Sequence, residues 1–144
     1  MQNEFEEDKS LPNGSSIAFI LEIGDKKILF LGDSHPSVII DGLKELRYSN
    51  RNKLEIDFMK VSHHGSKANT SNELLEIIKC DKFIISTDGS KHGLPNKETL
   101  ARIINKHSGC KIYFTYPDLI KKIFSEKELN NGLFEALDIS EFRI

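Results

Sequence analysis

The chain has little that would tie it to a membrane, to nucleic acid by charge, or to an oxidising compartment. No apolar run approaches the roughly 18 residues needed to span a bilayer; the longest, Ile17 to Leu21 and Ile28 to Leu31, are each soon ended by a charge or a glycine. The opening Met1-Gln2-Asn3-Glu4-Phe5-Glu6-Glu7-Asp8 is acidic and polar, the reverse of the basic and then apolar order of an export signal. A cytoplasmic protein without a membrane segment is therefore expected. There is no basic excess: 20 Lys and Arg stand against 22 Asp and Glu, a net charge of -2. A protein holding nucleic acid mainly by phosphate attraction would show one. The two cysteines, Cys80 and Cys110, are too few and too far apart for a CxxC metal knuckle, and reduced, buried, inert thiols are expected. No internal repeat or low-complexity segment interrupts the 144 residues.

What is present is the size and composition of one small globular domain, with 38% hydrophobic residues. Residues 1–15 carry charge, Pro12 and Gly14 but little apolar content, and read as a flexible lead-in to a single domain over 16–144. From Ser16 to Ile23 the chain is strand-like with apolar residues on both faces. Gly24 to Lys27 turns it into Ile28-Leu29-Phe30-Leu31, giving a hairpin. Pro36 suits the first turn of a helix whose Ile39, Leu43 and Leu46 recur at helical spacing as far as Arg47. A strand is expected over Leu54 to Val61, with Ile56, Phe58 and Lys60 on one face. Thr70 and Glu73 have capping-box spacing ahead of Leu74, Leu75, Ile77 and Ile78. Phe83 to Thr87 and Lys111 to Thr115 read as strands, with a helix capped by Asn96 between them and another from about Asp118 to Leu129. This order belongs to the α/β class, a sheet with helices packed on it.

Polar residues at strand ends are the informative feature, because in α/β sheets reactive groups collect where loops leave the carboxyl edge. Asp33 follows one hydrophobic strand, His63 and His64 follow a second, and Asp88 and His92 follow a third. Each has a structural reading as well. Asp33 after Gly32 suits a turn or a helix cap, His92 beside Gly93 suits a polar loop, Lys60 suits a structural counter-ion, and His35 and His107 suit surface or capping positions. Two adjacent imidazoles followed by Gly65-Ser66 fit a loop that must approach a ligand or metal. Carboxylate oxygen and neutral imidazole both suit zinc, manganese or iron, but two ligands are not a site.

Taken in order, Leu29-Phe30-Leu31-Gly32-Asp33, Lys60-Val61-Ser62-His63-His64-Gly65-Ser66 with Asn69-Thr70-Ser71, Ser86-Thr87-Asp88-Gly89 and His92-Gly93-Leu94-Pro95 resemble a known set. The stretch from about Ser16 to Phe114 is similar to the C-terminal half of metallo-β-lactamase-fold hydrolases, in the branch that includes the hydrolase domain of DNA-uptake competence proteins. The resemblance implies half of an αββα sandwich, a mixed sheet with helices on one face. It implies metal roles for Asp33 and for His63 or His64, with the non-ligating imidazole in the substrate cleft, and zinc as the metal, manganese or iron being alternatives. His63 and His92 are the candidates for catalytic work. The competence branch often ends a later loop Gly-His-Pro, whereas here Gly93-Leu94-Pro95 leaves His92 on the other side of the glycine.

The His-x-His-x-Asp-His run that supplies most ligands in that family would lie before Ser16, and the fifteen residues there contain no histidine. One copy of this chain is thus expected to lack the parts for metal-dependent hydrolysis of a phosphodiester, nucleic acid included, or of another ester. The missing ligands would come from a homodimer or from an N-terminal half. The alternative is a non-catalytic half-domain acting as a binding or structural module.

Overall fold

The computed structural model describes residues 4–144; Met1–Asn3 of the expected lead-in lie outside the described residues. The helices are α1 (Leu11–Gly14), α2 (Pro36–Glu45), α3 (Asn72–Ile77), α4 (Lys97–Lys106), α5 (Asp118–Ile123) and α6 (Glu126–Leu129). The strands are β1 (Phe19–Ile23), β2 (Lys26–Phe30), β3 (Leu54–Glu55), β4 (Phe58–Lys60), β5 (Ile78–Lys79), β6 (Lys82–Ile85), β7 (Cys110–Phe114) and β8 (Phe134–Asp138). Six strands form one sheet in the order β1-β2-β4-β6-β7-β8, and β3 pairs with β5 in a second, two-stranded ladder. The β1–β2 hairpin is antiparallel and every other pairing is parallel, so the sheet is mixed and the class is α/β. Among the described residues no helix is long and apolar enough to cross a membrane.

Alternation along the strands divides the sheet into two unlike faces. Leu29, Leu31, Met59, Val61, Phe83, Ile85, Ile112 and Phe114 point to one side and join Ile39, Ile40 and Leu43 of α2, Leu74 and Leu75 of α3, and Leu100 and Ile103 of α4 in the core. Burying each such side chain is worth about 1.5–3 kcal/mol. On the other side, register aligns Phe19 with Phe30, Phe30 with Lys60, Lys60 with Ile84 and Ile84 with Tyr113. The C-terminal segment crosses this face, where the Phe142 ring meets Phe58 at 4.8 Å and Tyr113 at 5.0 Å, edge to face in both cases.

Several local expectations shift. The strand read over Leu54 to Val61 is two strands in two different ladders, because Ile56-Asp57 leaves β3 to donate to Lys79 and Lys27 carbonyls before β4 begins. Ser71, not Thr70, caps α3: its hydroxyl accepts from Leu74 N, while Thr70 Oγ1 is buried without a partner. Asn96 stands at the N-cap of α4, but its side-chain oxygen accepts from Lys67 N at 2.8 Å, which ties the helix start to the neighbouring loop. The helix expected over Asp118 to Leu129 breaks at Phe124, whose ring turns inward against Phe114 and Phe134, and restarts at Ser125 with a full capping box to Glu128. The tail beyond it supplies β8, a parallel edge strand.

Ahead of Ser16 the chain is fastened at several points. Glu7 accepts from the backbone and hydroxyl of Ser37 at the start of α2, Asp8 N donates to Ala68 O, and the Arg102 guanidinium lies 5.0 Å over the Phe5 ring. Both cysteines are buried and free, and burial pushes the Cys80 thiol up to about 12 and the Cys110 thiol up to about 11.

Candidate functional site

Because β2, β4, β6 and β7 run parallel, the loops that follow them leave from one edge of the sheet. That edge holds an open cleft of about 500 Å³. Its walls include Asp33 after β2, His63 and His64 after β4, Ser86 to His92 after β6, and Tyr116 after β7. Asp33, His63, His64 and His92 thus line one cleft, from three loops far apart in the chain.

The loops are held to one another by hydrogen bonds. Asp33 N donates to Ser16 Oγ at 2.9 Å, His63 N donates to Gly32 O at 2.9 Å, and the Ser62 hydroxyl donates to Gly32 and Ser34 carbonyls. A Cβ on Gly32 would collide with the Ser16 hydroxyl, so this approach is open to glycine alone. Ser62–Gly65 form a tight turn in which His63 (φ 44°), His64 (φ 56°) and Gly65 (φ 88°) are all left-handed. For the two histidines this stores about 1–2 kcal/mol each. His92 is left-handed too (φ 57°) and exposed.

Both adjacent imidazoles are tied back through Nδ1. His64 Nδ1 meets Ser86 O, and because a carbonyl only accepts, Nδ1 carries the proton and Nε2 keeps its lone pair. His63 Nδ1 meets Asn69 Oδ1 at 2.9 Å. The two rings lie 6.3 Å apart. A hydrogen bond from one ring nitrogen that leaves the other free is the usual support for a histidine that binds a metal or moves a proton. Lys60, at the end of β4, is half-buried; burial lowers its pKa, and the Asp33 carboxylate opposes that shift.

The other two histidines stand at helix ends, as capping positions would have them. His35 stands at the N-cap of α2 without capping through its side chain, which is turned toward Asp8 with Nε2 3.8 Å from Oδ1. His107 is the C-cap of α4 and half-buried: Nε2 donates to Leu75 O, the ring lies on Phe83, and burial lowers its pKa. The residue that sequence reasoning missed is Asp8. Its carboxylate accepts from Asn13 Nδ2 at 2.6 Å, Ser10 N at 2.8 Å and Asn69 Nδ2 at 3.1 Å, and lies 3.6 Å from His63 Nδ1. Burial alone would raise its pKa, but these donors and the nearby His35 hold it at about 2. Nothing in the sequence separates Asp8 from Glu6 and Glu7 beside it.

The residues fit a metal in kind but not in number. Zinc in a hydrolytic site takes three protein ligands. Among the described residues no three His, Cys, Asp or Glu side chains come together in a set that would hold an ion. Comparison of the chain with known protein families, curated proteins and solved structures found no match in any of the three.

Proposed function

We propose that this domain supplies one side of a metal-dependent hydrolytic site of the metallo-β-lactamase kind, as half of an αββα sandwich, acting on a phosphodiester or other ester. The observation that carries the reading is the convergence of Asp33, His63 and His64 on one cleft, with both imidazoles tied back through Nδ1 so that Nε2 is free. Asp33 and one imidazole would serve as ligands to zinc, or to manganese or iron, and the second imidazole would face substrate. Since these residues do not by themselves make a three-ligand set, no chemical step is written through the ion. The remaining donors are assigned to another copy of this chain or to an N-terminal half, carried on a separate polypeptide or on a longer chain of which this one is a part.

A second reading, a non-catalytic binding or structural module, is favoured by the same shortfall of donors. Elemental analysis of untagged protein, with its mass in solution, separates the two. Stoichiometric zinc, manganese or iron, lost in Asp33→Ala and in His64→Ala, is the result expected of the hydrolytic reading. Hydrolysis of bis(p-nitrophenyl) phosphate would then be lost with the metal. Absence of metal at every oligomeric state would leave the binding module.

A further inference from the structure

Asn69 is fully buried, and its amide orientation follows from its surroundings. Nδ2 faces three acceptors: Asp8 Oδ2 at 3.1 Å, Asp33 O at 3.1 Å and Ser34 O at 3.4 Å. An amide oxygen in that place would meet only other oxygens, so Oδ1 must be the atom turned to His63 Nδ1. A carbonyl oxygen only accepts, so the His63 proton resides on Nδ1. Asn13 Nδ2 gives one of its two protons to Asp8 Oδ2 at 2.6 Å and stands 3.4 Å from the same Nδ1, a longer approach than the 2.9 Å to Asn69 Oδ1, so the Asn69 contact is the one that sets the His63 proton. Asp8 thus acts on His63 in two ways: it accepts a hydrogen bond from Asn69 Nδ2, and it places negative charge 3.6 Å from Nδ1.

We propose that Asp8 and Asn69 are positioning residues that hold His63 in the Nδ1–H tautomer and so present the Nε2 lone pair to the cleft. Neutral imidazole in water favours the opposite tautomer, with the proton on Nε2, which could neither bind a metal nor accept a proton at that atom. The lead-in segment therefore belongs to the site: it reaches His63 from 55 positions earlier in the chain, fastened by Glu7 on α2 and by Asp8 N on Ala68 O. The use of the free Nε2 rests on the reading of His63 as a cleft ligand or base; the tautomer itself does not.

The test is the pair of imidazole ¹⁵N shifts of His63 in ¹⁵N-histidine-labelled protein at about pH 8.5, above the ordinary histidine range, assigned by loss of the signal in His63→Gln. The parent chain is expected to show a protonated, pyrrole-like Nδ1 and a pyridine-like Nε2. Asn69→Ala should move both shifts by tens of ppm toward the Nε2–H form, and Asp8→Ala should give a mixture. His64, held by Ser86 O, should stay Nδ1–H in both variants and reports that the turn still folds. An Nε2–H His63 in the parent, or shifts unchanged in Asn69→Ala with His64 intact, overturns the proposal. A shift in Asn69→Ala but none in Asp8→Ala overturns the part given to Asp8. With the protein stripped of metal by a chelator before the spectra are taken, this result and the metal analysis fail independently.

Discussion

At Gly65 the backbone sits at φ 88°, and an added Cβ would stand 2.6 Å from Pro95 Cβ. Gly93 shares the left-handed conformation, at φ 62°, but faces open space. The two sites separate backbone strain from collision. Gly93→Ala should cost about 1 kcal/mol, the ordinary penalty of a left-handed L-residue. Gly65→Ala should cost more than about 2 kcal/mol, since Pro95 must also move and Gly65 O must keep the bond from Asn96 N. Urea denaturation of both variants checks the order; equal losses would mean that the Pro95 contact is soft. The same turn carries the strained His63 and His64, so the rigidity that Gly65 permits is also what aims the imidazoles.

Among the elements, α6 shows how little chain is needed for a helix when both ends are satisfied. Its four residues are opened by Ser125, whose hydroxyl accepts from Glu128 N while the Glu128 carboxylate accepts from Ser125 N, and Lys97 of α4 pairs with that carboxylate at 2.7 Å. The Lys97 bond first, then the Ser125 bonds, hold the Glu128 pKa at about 2, against an ordinary 4.5. The folded pKa lies below the unfolded one, so this contribution is complete above about pH 4.5 and fades as the pH falls toward 2. Glu128→Gln is expected to lower stability at neutral pH, with a deficit that shrinks on acidification through that window and with added salt, since the pair is surface-exposed. A deficit constant down to pH 2 would place the effect outside the carboxylate charge. The break before α6 has an equally local origin: Phe124 is worth more in the core than as a helical residue on the surface.

For the whole molecule, the uneven cover of the sheet is the dominant feature. One face carries the helices; on the other, Phe142 shields only the centre, leaving Phe19, Leu21 and Ile23 of the edge strand 48%, 37% and 58% exposed. At about 25 cal/mol per Å² such a surface favours association. We expect the chain to sediment heavier than its 16.4 kDa, and Leu21→Lys to shift it toward monomer without unfolding it. A stable monomer that binds no hydrophobic dye would defeat this expectation, and with it the idea that a partner on this face completes the site.

The sequence by itself determined the α/β class, the hairpin, the parallel strands that follow and the strand ends where Asp33, His63, His64 and His92 stand, because alternation, helical spacing, proline and glycine are local signals. Residues that act through local bonding were legible to within one position, as with Ser71 for Thr70. Only the tertiary structure decided that four loop residues share a cleft, that Leu54 to Val61 divides between two ladders, and that the His107 ring packs on Phe83. It alone brought Asp8 to Asn69 and His63, since contacts between residues 55 and 61 positions apart leave no periodic trace. A carboxylate in an acidic segment reads as solvated until the fold shows which donors surround it.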